Sequence, residues 1–256
     1  MRRPKFGFTE DPTGNTAHRP WPLPREPWIM AQRWSDLLFA HWPMPVDAVR
    51  SAVPASLPID TFDGVAWISV ASFYLSHLRP RWTPAFPWLS EFPELNVRTY
   101  TSLDNKPGVY FFSLDAGSAV AVEAARLLYH LPYMHARMRT DRDAHGFVTY
   151  DSHRTDQRGR PAEFRARYRP TGPVRSSAPG TLDHWLTERY CLYAVEAERV
   201  YRAEIHHRPW PLQPVDAEIV TNSMIGAAGL SAAGPPQPLA FAASIDVVVW
   251  RPHRVR

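Results

Sequence analysis

The chain has 256 residues, 45% of them hydrophobic and 12% aromatic, with a formal net charge of +4, enough for one sizeable core and too apolar for the bulk of it to be disordered. Its single cysteine, Cys191, excludes an intrachain disulfide framework and a cysteine-rich zinc site, and no apolar run reaches the roughly 18 residues of a membrane-spanning helix. Among 29 basic residues only two are lysines, Lys5 and Lys106.

Residues 1–27 are polar and proline-rich and read as a tail or wrapping arm. Because no apolar stretch follows the basic start, no signal peptide is expected and the protein is placed in the cytoplasm. Residues 28–256 are expected to form one domain. Trp28–Phe39 is extended, and Met44-Pro45 opens a short helix with Val46, Val49 and Val53 on one face, closed by Pro54. Asp63-Gly64 signals a hairpin turn before an almost wholly apolar strand, Val65–Leu78. The loop RPRWTPAFPWLSEFP is expected to expose Trp82, Phe86, Trp88 and Phe92 between its prolines. Leu95–Leu103 and Val109–Leu114 read as a hairpin around Asn105-Lys106-Pro107-Gly108. Asp115 or Ser118 then caps a helix to about Leu131, with Val120, Ala124, Leu127 and Leu131 as its apolar face and Pro132 at its end.

Short strands follow: Phe147–Arg154, Glu163–Arg169, the hairpin Tyr190–Val195 with Val200–His207, and a closing strand, Ile245–Trp250. A short helix fits residues 181–189. Strands are seldom separated by helices, so parallel βαβ winding is disfavoured and an α+β domain is expected. Between Arg126 and Arg175 there are 11 arginines against 5 acids, and alternation puts Arg165, Arg167 and Arg169 on one strand face. Without blocks of charge or a nucleic-acid motif, these read as solvated strand faces, and no nucleic-acid partner is expected.

Chemistry has few places to sit. There is no phosphate-binding glycine loop, no zincin histidine pattern and no Gly-x-Ser-x-Gly elbow. Adjacent His206 and His207 would face opposite ways on a strand, so no metal is expected. Cys191 has apolar neighbours, and His184, Glu188 and Arg189 read as ion pairing near a helix end. Arg33 sits between Met30 and Trp34 in an apolar strand. In FPELNVRTY, alternation places Glu94, Asn96 and Arg98 on one face and Leu95, Val97 and Thr99 on the other. That polar face is either solvated or a pocket wall, where Arg would grip a carboxylate and a desolvated Glu would shuttle a proton.

The segments DTFDGVAWISV, FPELNVRTY, GVYFFSLDA, EFRARYRP, LTERYCLYA and HHRPWPLQP resemble the bacterial domain-of-unknown-function family 2071, which is related to acetoacetate decarboxylase. The resemblance spans roughly residues 28–252. It implies a curved antiparallel sheet, cone- or barrel-like, around a small-molecule cavity, with Glu94 on its wall. The decarboxylases form an imine on a lysine in a Gly-x-Pro-Lys-Lys stretch, a chemistry that needs an amine of depressed pKa. Here the matching stretch lies in YHLPYMHA, and Tyr133 and Met134 stand where the lysines would be. Imine chemistry is therefore not expected, and no cofactor is implied.

The candidate site so implied has Glu94 and Tyr133 as catalytic groups, with Arg33, Asn96, Arg98, Met134 and His135 as ligand-binding residues. It is read first as a lysine-independent, lyase-like enzyme on a small oxo- or carboxylate-bearing substrate, in which Arg33 and Arg98 hold the anion. There Glu94 moves the proton and Tyr133 donates to a developing enolate. The alternatives are a non-catalytic binder or sensor of a small anionic ligand, and an interaction protein using the arginine stripe. The related decarboxylases form larger oligomers, which makes a homo-oligomer the corresponding expectation.

Overall fold

Runs of aromatic and aliphatic residues set the architecture, because such side chains suit a pleated, buried surface. The computed structural model describes residues 13–83 and 90–256. It begins with β1 (Met30–Met44), α1 (Val46–Arg50) and β2 (Ala66–Pro80). A hairpin of β3 (Phe92–Leu103) and β4 (Lys106–Ala116) leads to α2 (Ala119–Tyr129). Next come β5 (Tyr133–Arg142), β6 (Val148–Arg154), β7 (Glu163–Pro170), α3 (Leu182–Thr187), β8 (Cys191–Glu196) and β9 (Arg199–His206). The chain ends with β10 (Leu212–Gln213), β11 (Val215–Asn222), α4 (Met224–Ala227), β12 (Leu239–Val249) and β13 (His253–Arg254).

Pairing runs β4–β3–β2–β1–β12–β9–β8 and returns to β4, so these strands curve around a cone-like interior. The sheet is mixed where a purely antiparallel one was expected: β4 runs parallel to β8 and to β5. The second parallel pair follows from the intervening α2, since a crossover is what parallel neighbours require. At the closing junction an added Cβ on Gly108 would lie 2.7 Å from the Cys191 carbonyl oxygen, so β4 and β8 can meet there only at glycine.

Strands β5, β6, β7 and β11 extend from β4 as a second layer. Its apolar face, with Tyr150, Phe164 and Tyr168, packs on Leu38, Val70 and Val97 from the outside of the cone. Cone strands are thereby buried on both faces, which explains the apolar reading of β2. Arg154 of β6 bolts the layers together by a bidentate bond to Asp115 of β4, at 2.9 and 2.6 Å. Outside, Arg165, Arg167 and Arg169 do share the exposed face of β7, but each faces a carboxylate: Asp151, Asp143 and Asp216.

Several local expectations shift. The β3–β4 turn lies at Asp104-Asn105, both left-handed (φ 55° and 57°), and Lys106, Pro107 and Gly108 belong to β4. Phe92 is buried at the start of β3, whereas Trp82 is exposed; Phe86 and Trp88 lie outside the described residues. The last long strand begins at Leu239, well before Ile245. Ser118 caps α2 by accepting from the Ala121 N–H, as one of the two readings had it. Of the expected face, Ala124 and Leu131 line the cavity whereas Val120 and Leu127 are exposed; Ala121, Ala125, Tyr129 and the largely exposed Leu128 complete the lining from this helix. Ser118→Ala is expected to cost about 1 kcal/mol in urea unfolding, the usual loss for an N-cap.

Candidate active site

The interior face of β3 carries the polar groups. Alternation along this strand turns Glu94, Asn96 and Arg98 the same way, and the closure of the cone makes that way inward. All three line a cavity of about 190 Å³. Its other walls are mainly apolar, among them Trp34 and Phe39 of β1, Phe73 of β2 and Leu114 of β4, and α2 lies over it with three alanines, Leu128 and Tyr129.

Glu94 is 4% exposed. Its Oε2 accepts a 3.2 Å hydrogen bond from the Tyr133 hydroxyl, and burial pushes its pKa up to about 8. At neutral pH the group is thus mostly a carboxylic acid that can give and retake a proton. Tyr133 is held well above the usual phenol range by burial and by Glu94, so it stays a hydrogen-bond donor. It is placed by the parallel pairing of Tyr133 with Leu114.

Arg98 is 8% exposed, and its Nε and Nη2 find no protein partner among the described residues. Its guanidinium stands 5.2 Å from the Phe39 ring centroid. A buried cation without a counter-ion is costly unless an anion joins it, and the cavity is where that anion would come from. The Asn96 Oδ1 is likewise buried and unpartnered.

Arg33 does not reach the cavity. A bulge between Ser35 and Leu38, with Asp36 at φ 51°, inverts the alternation of β1, so Gln32 and Trp34 face inward. Arg33 instead makes a bidentate pair with Asp246 across the strand, at 2.7 and 2.9 Å. Met134 and His135 are also outside. Met134 packs beside Gly159, and His135 Nε2 lies 2.8 Å from Glu123 Oε1 at the surface.

Two site residues were read otherwise or missed. Arg189 forms the ion pair expected of it, with Asp60 at 2.6 Å, yet it also lines the cavity. His207 lines it too, held as neutral imidazole by burial and stacked on Tyr190 at 4.8 Å, while His206 turns away toward Arg19. The opposite orientations of the two histidines were legible from strand alternation; the cavity role of either was not.

Nucleophiles are scarce. Lys106 is ion-paired to Glu204 beside Trp21, away from the cavity, and Lys5 lies outside the described residues. The buried Cys191 thiol is pushed up to about 12. From the N-terminal segment, Arg19 and Trp21 reach the same Glu204, at 3.1 and 2.8 Å. Among the described residues, no three His, Cys, Asp or Glu side chains converge on a metal position.

Solved structures with similar folds include an enduracididine biosynthesis enzyme and acetoacetate decarboxylases. An enduracididine biosynthesis enzyme, MppR, in complex with pyruvate superposes with a TM-score of 0.60 at 13% identity, covering 96% of this chain and 98% of that one. Acetoacetate decarboxylase from Legionella pneumophila gives 0.58 at 10% identity, with 93% of each chain covered. At such identities the likeness shows the fold, which is that of acetoacetate decarboxylase. A Bacillus subtilis (strain 168) protein, the uncharacterized YqjF, is 44% identical over 223 residues, 87% of this chain and 91% of its own. With the model of the uncharacterized conserved family DUF2071 matching residues 31–246 as well, the chain belongs to the DUF2071 family, and its cone is that family's version of the acetoacetate decarboxylase fold.

Proposed function

We propose that the cone binds an organic molecule carrying a carbonyl and a carboxylate, and that Glu94 moves a proton at the carbon beside the carbonyl without forming an imine. What carries this reading is a buried carboxyl, its pKa pushed up to about 8 by burial, bonded to a tyrosine at the edge of a largely apolar cavity. Apolar walls raise the Glu94 pKa and strengthen whatever hydrogen bonds the ligand makes. In the forward step Glu94, as carboxylate, takes the proton from carbon and the carbonyl becomes an enolate. In the return step Glu94 gives a proton back to carbon after its carboxyl has exchanged with solvent, and Tyr133 or the neutral acid donates to the oxygen meanwhile. Arg98 supplies the counter-charge for the carboxylate. The pyruvate bound by the structurally similar MppR is a molecule of this chemical kind.

A second reading is a binder or sensor without turnover, favoured by the lack of an amine or thiol nucleophile among the cavity-lining residues. The two separate on deuterium exchange into an oxo acid in D2O, followed by NMR. Wild-type protein is expected to catalyse exchange beside the carbonyl. Glu94→Gln is expected to abolish it while keeping most of the thermal stabilisation conferred by the same acid. Undiminished exchange in the variant removes Glu94 from the mechanism; no exchange by the wild type favours the binder. Borohydride with acetoacetate is expected to leave the protein mass unchanged, and a trapped adduct would restore imine chemistry.

A further inference from the structure

The polar groups inside the cone are not gathered at one point. Glu94 and Tyr133 form one station. Four residues further along the same face of β3, about 13 Å between Cα atoms at the rise of a strand, Arg98 begins another. Strand register sets Arg98 beside Ser69, and Ser69 beside His41, so side chains from β3, β2 and β1 form one row, of which Arg98 lines the cavity and the other two lie behind it. His41 and Ser69 are 1% and 0% exposed. Arg189, also at least nine-tenths buried, faces the cavity from beyond α3.

This row is rich in unpartnered donors. Arg98 Nε and Nη2, Arg189 Nη2, Ser69 Oγ and His41 Nε2 are all buried without a protein partner. The Tyr100 hydroxyl lies 3.3 Å from His41 Nδ1. A donation there places the imidazole proton on Nε2, since neutral histidine carries one donor and one acceptor. Burial and the Arg98 charge keep that ring neutral. Such a set matches an acceptor with several lone pairs, as a carboxylate is.

Between the two stations the wall is apolar except for Asn96, whose buried Oδ1 has no protein partner. The row of Asn96 holds Phe39, Ala71 and Leu114, and the row of Glu94 holds Phe73 and Ala116. Arg98 leans back over Phe39, which leaves roughly 7–13 Å between its charge and the Glu94 row. A short 3-oxo acid, with one carbon between its carboxylate and its carbonyl, reaches both stations only at the near end of that range.

We infer that the ligand is an elongated oxo acid, its carboxylate held at the inner row by Arg98 and Arg189, its carbonyl at Glu94 and Tyr133, and a mainly hydrocarbon spacer several carbons long, passing Asn96, between them. The carboxylate is then a handle and not a leaving group, because an ion pair that stabilises it in the ground state opposes its loss as carbon dioxide. This assignment rests on the reading of Glu94 and Arg98 given above, and adds the length and polarity of the ligand.

Titration calorimetry with acetoacetate, 6-oxoheptanoate, 8-oxononanoate and the neutral ketone 2-octanone tests it. The better of the two long acids is expected to bind at least about tenfold tighter than acetoacetate and than 2-octanone, the scale of one charge-assisted hydrogen bond or more. Arg98→Met should erase the preference for acid over ketone. The ketone also reports whether the variant retains a folded cavity. Acetoacetate binding as tightly as the long acids, 2-octanone binding as tightly as they do, or no acid binding at all overturns the inference. Long acids that bind selectively but exchange no deuterium would refute the proton-transfer reading and leave this one standing.

Discussion

Glu94→Gln is expected to stabilise the protein by roughly 5 kcal/mol at pH 9 and to leave its stability almost unchanged at pH 4. The carboxyl titrates at about 8 in the folded protein because burial disfavours its charge, and near its ordinary value, about 4.3, when unfolded. Between those values the unfolded chain has released the proton and the folded one still holds it. The unfolded state therefore binds fewer protons, and stability falls as pH rises through this window. Above about pH 8 both states are ionised and the loss is complete. Gln keeps the shape and a hydrogen-bond acceptor for Tyr133 but never ionises, so the variant escapes the whole decline.

Buried His41 and His207 act in the other direction. Their folded pKa values lie below the ordinary one, so the unfolded chain takes up protons first as pH drops below about 6.5, and stability falls with it. Both are present in wild type and variant, and their contribution cancels in the difference. Urea unfolding at pH 5, 7 and 9 reads the effect as a gap that widens with pH. Parallel curves would mean that Glu94 titrates like an exposed carboxylate, and the acid–base role proposed for it would go with them.

Much of β3 was legible because its alternation is local: Glu94, Asn96 and Arg98 sit on one face whatever the strand does. Whether that face meets water or a cavity depends on a circuit of strands, closed where Gly108 meets Cys191, 83 residues apart in sequence, and no short window contains that fact. Arg33 shows the limit of alternation. One bulge at Asp36 moves the residues before it to the other face, and an aspartate in an apolar strand is a weak sign of it. Helix α2 was placed and one of its two proposed caps was right. Its expected stripe was half right, with Ala124 and Leu131 on the cavity and Val120 and Leu127 away from it, because alanines supply much of that face and bulky side chains draw the reading off it. Arg189 and His207 join Arg98 through tertiary closure alone. The DG turn is the opposite case: Asp63 and Gly64 both adopt left-handed φ, 50° and 77°, as their types prescribe.

Arg98→Met is expected to raise the melting temperature of the ligand-free protein by roughly 5–10 °C, from about 2–4 kcal/mol of added stability, while removing its preference for carboxylates. In the wild type a guanidinium is taken out of water, and a ring face at 5.2 Å recovers only part of the hydration it has lost. Methionine has a similar length, no charge, and enough flexibility to fill the space against Phe39. Arg189 provides the contrast within the same cavity. Its Nη1 donates to Asp60 at 2.6 Å and its Nε to the Trp185 carbonyl at 2.6 Å, so Arg189→Met strands a carboxylate and a carbonyl and is expected to lower the melting temperature. Two arginines that line one cavity should thus move stability in opposite directions. The difference lies in whether the protein or the ligand supplies the partner. If Arg98→Met melted below the wild type, Arg98 would be a structural residue whose partner is already in the fold, and the anion site would lose its main support. If it melts above, the chain retains at this position a charge that weakens the empty protein, which is what selection for binding, rather than for folding, leaves behind.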